Sequence, residues 1–194
     1  MSATAPPERR SARDRLLDAA DELFYDYGVH TVGIDRVIER AGVAKASLYN
    51  TFGSKDELIR AYLERRHERR RADIEEAFAR CETPRERLLA VFDVLRARLE
   101  RPGTRGCAFI NAGAEAPLGG SIERASDEYR GWVRALFREL TEEIGVADPD
   151  ALAAQLALLY DGVAVSARMD HGALDAASAA RAAAAALLDA APRR

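Results

Sequence analysis

An all-α fold of about nine helices is what the sequence predicts, and three observations predict it. Alanine is abundant while β-branched and aromatic residues are sparse, with Phe, Trp and Tyr making up 7% of the 194 residues, a composition that favours helix over strand almost everywhere. Apolar residues recur at three- and four-residue spacing in successive segments. Helix punctuation falls between those segments: Gly28, Gly42, Gly145 and Gly172 at their ends, and Ser54, Thr83-Pro84 and Asp148-Pro149 at their starts.

In order along the chain, residues 1–8 read as a polar, Pro-containing tail. A first helix is expected over 8–27, with Leu16, Ala20, Leu23, Phe24 and Tyr27 as its apolar stripe and Gly28 ending it. Arg9, Arg10 and Arg13 stand at its N-terminus, where the macrodipole disfavours cations; phosphate contact and a merely solvated basic end both account for them. Ile34, Val37, Ile38 and Ala41 then repeat at helical spacing, Gly42 permits a sharp reversal, and Val43, Leu48 and Phe52 anchor a second short helix. Two short helices across a tight turn make a helix-turn-helix. With Leu48 and Phe52 facing inward, Lys45, Ala46, Ser47, Tyr49, Asn50 and Thr51 are left outward. That hydrogen-bonding, basic and aromatic set suits a helix whose residues meet base edges while hydroxyls and ammonium groups hold phosphates.

The run AGVAKASLYNTFGSKDEL from Ala41 to Leu58, with the helix before it and the link from Gly28 to Val32, resembles the tetracycline-repressor (TetR) family of bacterial one-component regulators over roughly residues 11 to 63. Gly42-Val43, Leu48-Tyr49, Phe52 and Lys55 carry the match in register. The resemblance implies a helix-turn-helix DNA-binding domain at 1–54 and a helical ligand-binding and dimerisation domain at 55–194, with Thr31 and Lys55 on phosphates. It implies a repressor released from a palindromic operator in double-stranded DNA by an unknown small-molecule inducer, acting as a homodimer. The chain departs from the family where Gly33 and Ala44 replace the usual Ser or Thr at two helix caps. Gly is tolerable there, whereas Ala costs about 1 kcal/mol and removes a possible phosphate contact.

Ser54-Lys55-Asp56-Glu57 is a capping-box pattern opening a long helix expected over 55–80. Within it Arg65, Arg66, His67, Arg69, Arg70 and Arg71 form a basic run that reads as a solvated face, with Glu64 and Glu68 as i,i+4 partners. Thr83-Pro84-Arg85-Glu86 opens a fifth helix with Leu88, Val91, Phe92, Leu95 and Leu99 on its core side, broken at Pro102-Gly103. RGCAFINAGAEAPLGG predicts a short helix or two between loops. Ser121 is expected to cap a seventh helix, the most clearly core-facing of this half, running through Tyr129, Trp132, Val133 and Phe137 to Gly145. An eighth runs from Asp148-Pro149 to about Asp170, and a ninth contains nine alanines in the eleven residues 176–186. Small side chains let helices approach closely, so helices 8 and 9 are expected to pair with those of a second copy as the homodimer interface. The family resemblance also implies a ligand pocket, for which Phe92, Cys107, Phe109, Tyr129, Trp132, Phe137 and Tyr160 are the candidate wall residues. Plain core packing is the competing reading of each aromatic.

Net charge divides unevenly, +2 over residues 1–71 and -5 over 72–194. The sign suits DNA at the N-terminal end, but the motif carries that inference. The absence of a long apolar run and of a signal-like N-terminus predicts a cytoplasmic protein with no membrane partner. Two cysteines, Cys81 and Cys107, are too few for a disulfide framework. No nucleophile elbow, P-loop, dinucleotide fingerprint or zinc-helix motif is present, and His30, His67 and His171 lack ligand companions; no enzyme activity, cofactor or metal is expected. Cys107 follows Gly106 near Arg105 at the junction of helices 5 and 6; if it lies at a helix N-terminus, dipole and guanidinium would favour the reactive thiolate, and a small buried hydrophobe is the competing reading. Three functions are therefore carried forward: a ligand-responsive DNA-binding repressor, an electrophile- or oxidant-responsive regulator of the same fold acting through Cys107, and a helical interaction protein without DNA binding.

Overall fold

The computed structural model describes residues 10–101, 103–115, 119–169 and 173–194. They form nine helices: α1 (Ala12–Tyr27), α2 (Ile34–Ala41), α3 (Lys45–Phe52), α4 (Lys55–Phe78), α5 (Pro84–Leu99), α6 (Ala108–Glu115), α7 (Ser121–Glu143), α8 (Pro149–Met169) and α9 (Ala173–Ala190). Among the described residues the only β feature is an isolated bridge between Val146 and Arg193.

Packing divides the chain into two compact units, Met1–Tyr62 and Leu63–Arg194. In the first, α1 lies against α2 and α3, burying Leu16, Leu23, Phe24, Val32, Val37 and Leu48. The first turns of α4 belong here too. Leu58, Ile59 and Tyr62 are buried, and Tyr62 meets Phe24 edge to face at 5.7 Å between ring centres. For that reason the packing boundary falls inside α4, after the boundary at residue 54 suggested by the helix start. The second unit packs α7 on α8, α8 on α9 and α9 on α5. Phe92 and Phe137, both fully buried, stack at 5.7 Å in its core.

Local signals explain most boundaries. Ser11 caps α1 by accepting a hydrogen bond from the Asp14 amide at 3.1 Å, so the helix begins at Ala12 and not at residue 8. Residues 1–9, including Arg9, lie outside the described set. Gly42 takes the left-handed conformation at φ 62°, letting the Val43 amide close back on the Ile38 carbonyl at 3.3 Å and turn the chain into α3. Ser54 caps α4 through the Glu57 amide at 3.1 Å, while the Glu57 carboxylate accepts from Arg60 at 2.7 Å. Thr83 and Glu86 form the full reciprocal capping box of α5. Gly120, not Ser121, is the N-cap of α7. The Asp148 carboxylate accepts from the Ala151 amide at 3.0 Å to open α8. Asp170, His171 and Gly172, which the sequence reading uses to separate the last two helices, are outside the described residues.

Candidate nucleic-acid interface and C-terminal cavity

The outward face of α3 follows from how few of its side chains the core needs. Leu48 is fully buried and Phe52 half-buried, while Lys45, Ala46, Tyr49, Asn50 and Thr51 are exposed and Ser47 is half-buried. Neither Gly33 nor Ala44 offers a side-chain cap to α2 or α3, and in α3 the Ser47 amide turns instead to the Ala44 carbonyl at 2.9 Å. Lys45 donates to Asp35 at 3.0 Å, an exposed pair that holds the lysine above its ordinary pKa through that hydrogen bond. The Thr51 hydroxyl donates inward, to the Ser47 carbonyl at 2.6 Å, leaving its oxygen only as an acceptor. Thr31 is exposed in the turn before α2, and Lys55 is half-buried at the start of α4. Arg13 lies over the Phe52 ring at 5.8 Å, and Arg10 pairs with Asp18 at 2.7 Å. Arg36 stacks on Tyr27 at 4.1 Å, adding a cation of α2 to this unit's surface.

The second unit contains a small cavity lined by residues of α4, α5, the α5–α6 link, α7 and α8, among them Arg70, Leu95, Cys107, Tyr129, Tyr160 and Val163. Arg70 is buried and donates from Nη1 to the Tyr160 hydroxyl. Tyr160 and Tyr129 share a hydrogen bond at 2.7 Å. Burial works against the Arg70 charge, the phenol oxygen it donates to and the more distant Asp73 favour it, and its pKa lies above the usual arginine value, so Arg70 stays a cation. Burial pushes the Tyr129 phenol well up, with Arg70 opposing, so Tyr129 keeps its proton. Around this core Phe109 stacks flat on Tyr129 at 3.9 Å, and His67 contacts Tyr129 at 5.5 Å and Trp132 at 4.9 Å. Burial, then Arg71, depresses the His67 pKa. One wall is backbone. Gly106 has φ 78°, and a Cβ there would stand 3.0 Å from the Ala164 carbonyl oxygen.

The chain that carries these two sites is similar to known proteins. The model of the family described as bacterial regulatory proteins, tetR family, matches residues 16–62. A TetR-family transcriptional regulator from Streptomyces coelicolor is similar at a TM-score of 0.86 and 32% identity, over 92% of this chain and 94% of that one. A crystal structure from Streptomyces avermitilis, described as a putative tetr-transcriptional regulator, is similar at 0.82 and 34%, over 95% of this chain and 100% of that one. The chain belongs to the TetR family. It is thus a DNA-binding transcriptional regulator, not an enzyme, with an N-terminal helix-turn-helix domain and a C-terminal helical domain. The transcriptional activator FasR of Mycolicibacterium smegmatis is 39% identical over 85 residues, 44% of this chain, and the match spans only 39% of that relative's length.

Within this TetR-family chain, the sequence-derived pocket candidates fall into three groups. Cys107, Tyr129 and Tyr160 line the cavity; Phe109 and Trp132 belong to the aromatic cluster around Tyr129 and His67; Phe92 and Phe137 pack on each other in the core. Arg70 is the residue that sequence reading missed. It stands inside a basic run that reads as one solvated face, yet it lies one turn past His67, and the structure buries it. Steps of three and then four residues, from His67 to Arg70 to Ile74 along the helix, are the signal that could have found it. No group of three or more metal-ligating side chains occurs among the described residues.

Proposed function

We propose that this regulator is a repressor which grips a palindromic operator as a two-fold dimer and is released by a small-molecule inducer held in its C-terminal unit. Residues 1–54 serve as the DNA-binding domain and 55–194 as the ligand-binding and dimerisation domain. The exposed face of α3 carries the reading: Lys45, Ala46, Ser47, Tyr49, Asn50 and Thr51 address the major groove, and Thr31 and Lys55 hold phosphates. One short helix reads too few base pairs alone, so half-sites about 34 Å apart, or a multiple, are expected. Support for the dimer comes from α8, where Ala151, Ala154, Leu158, Gly162, Val165 and Met169 follow one exposed stripe; Leu158 and Met169 are 71% and 75% exposed, and large apolar side chains aligned in this way mark an interaction face. On α9, Ala184 is fully buried within its own subunit, so its replacement reports on the subunit core, and Leu158 is the position that tests the interface. Inducer and operator select different members of one conformational equilibrium, with the continuous α4 as the element both bias. Such a regulator works in the cytoplasm, where the DNA is.

Gel retardation with the DNA upstream of the protein's own gene tests this. Wild type should shift the fragment, and Leu158→Arg should give a monomer by light scattering and abolish the shift. A dimeric Leu158→Arg protein, or a Tyr49→Ala, Lys45→Ala variant that binds as wild type does, would refute the interface or the reading helix respectively. Operator must weaken inducer binding by the factor with which inducer weakens operator binding, and calorimetry showing no such reciprocity would remove the coupling.

A second reading is favoured by one observation: Cys107 sits at the start of α6, its carbonyl accepting from the Asn111 amide at 3.0 Å, and lines the cavity beside Arg70. Thiolate at a helix N-terminus reacts with electrophiles. Preferential labelling of Cys107 over Cys81 by N-ethylmaleimide, with operator release that Cys107→Ser abolishes, would establish sensing; equal slow labelling with DNA binding intact would dismiss it.

A further inference from the structure

We propose that the cavity of the C-terminal unit is a carboxylate site, in which Arg70 and the Tyr129 hydroxyl hold the acid group of a small ligand with an apolar body. The inference rests on reading this unit as ligand-binding, and it names the ligand's chemical class.

Arg70 is 6% exposed, and among the described residues no Asp or Glu stands within ion-pair distance of it. Its one hydrogen bond goes to a neutral phenol, and its buried Nε–H has no acceptor. Asp73, on the same helix, reaches it only through space. A guanidinium withdrawn from water without a counter-charge is a costly arrangement that natural cores avoid unless something else needs the charge. The neighbouring hydroxyls add donors and not charge. Tyr160 accepts from Arg70, and either phenol can donate to the other across 2.7 Å, so one of the two phenol protons is left without a protein acceptor. The Thr104 hydroxyl is spent on the Arg98 and Arg101 carbonyls, both at 2.8 Å. What remains is an unused phenol proton beside a buried guanidinium, a pair of donors complementary to a carboxylate.

Charge and surroundings narrow the class further. Arg70 is the buried cation of the lining and Arg98 a half-buried one, while Leu95, Leu99 and Val163 make much of the rest apolar, surroundings that suit an acid with an apolar body. Free space in this state is only about 20 Å³, room for a single water-sized group. A carboxylate therefore enters by taking the place of the Tyr160 hydroxyl on Arg70. The exchange loosens the tie between α4 and α8 within the unit, which is how acid binding would become a change of structure.

The test uses the full-length protein in low-chloride buffer with benzoate and 4-methylpentanoate as probes and benzamide and 4-methylpentanamide as their neutral counterparts. Binding is read by thermal shift and by the emission of Trp132, the sole tryptophan, whose ring lies 5.9 Å from Tyr129. The acids should bind at least tenfold more tightly than the amides. Arg70→Met should erase that preference without lowering the melting temperature of the unliganded protein, since it exchanges an unpaired buried charge for an apolar chain of similar length. Arg70→Lys, which keeps the charge but loses the fork, should bind the acids more weakly yet still prefer them to the amides, and Tyr129→Phe should weaken them severalfold. Acids that bind equally well in all three variants, or fail to bind wild type at millimolar concentration, would overturn the site. Amides that bind as tightly as acids and release operator would overturn the carboxylate assignment and leave the ligand-binding reading standing. Acids that bind through Arg70 without releasing operator would uphold the site and count against induction.

Discussion

The exposed cations of the N-terminal unit and the buried Arg70 of the C-terminal unit are held in opposite ways. In the N-terminal unit, Lys45 rests on Asp35, Arg40 on Glu22 and Arg10 on Asp18, all solvent-exposed. Exposed pairs of this kind hold weakly, so each cation can leave its carboxylate for a phosphate with little penalty. In the C-terminal unit Arg70 has been removed from water, and two phenols stand where a carboxylate would be expected. A charge meant for a long polyanion is best kept in an exchangeable pair at the surface. One meant for a single small partner can be kept unpaired, provided that the fold has fixed everything around it.

The division into units is most severely tested by Phe92→Ala. Phe92 is fully buried against Phe137, so its loss should cost about 3–5 kcal/mol. Urea unfolding should move the transition of the C-terminal unit and leave that of the N-terminal unit in place. A single transition shifted as a whole would mean that the units melt together. Next in size is Tyr49→Ala. This residue is 45% exposed, so operator affinity should fall about tenfold with the melting temperature unchanged; a fall in stability instead would move Tyr49 from reading surface to structure.

A smaller effect contrasts the caps. Ala44→Ser supplies the missing N-cap of α3 and should stabilise the N-terminal unit, while Thr83→Ala removes half of the α5 capping box and should destabilise the C-terminal unit, each by about 1 kcal/mol. Opposite shifts of similar size in calorimetry would confirm the pair.

The smallest expected effect is in pH. His67 has a folded pKa below its ordinary 6.5, owing to burial first and Arg71 second, with Glu128 and Glu68 opposing. The unfolded chain therefore binds more protons, and the contribution of His67 is intact above pH 6.5 and lost as pH falls below it. Glu86, held down chiefly by the Glu82 and Thr83 amides, follows the same sign from its ordinary 4.5 downward. Stability of the C-terminal unit should decline in two steps on acidification, and His67→Phe should remove the upper one. A rise in stability from pH 6.5 to 5 would contradict the burial of His67.

What could be seen in advance follows from the physics of each signal. The helix-turn-helix was legible to the residue because Gly42, Leu48 and Phe52 are local constraints with one geometric solution, and the caps at Ser54, Thr83 and Asp148 are local for the same reason. The start of α1 lies later than the expected residue 8 because Ser11 caps the helix from among basic residues whose composition alone also suits a first turn. The cavity was only half legible. Its aromatics announced themselves by spacing, but their partition into core and lining depends on which neighbours meet across helices far apart in sequence. Arg70 was hidden by composition: amid six basic residues in seven, only the helix phase distinguishes the one that turns inward.

Gly106 limits how such a site can change over evolutionary time. A substitution there has to carry a side chain in the left-handed region and also push against the Ala164 carbonyl at 3.0 Å, two independent penalties that no rotamer relieves. The walls formed by Leu95, Leu99 and Val163 can be recut one methyl group at a time, so new ligand shapes are open to this lineage on those sides. On the Gly106 side the outline is inherited, and descendants that recognise other molecules should differ everywhere around the cavity before they differ there.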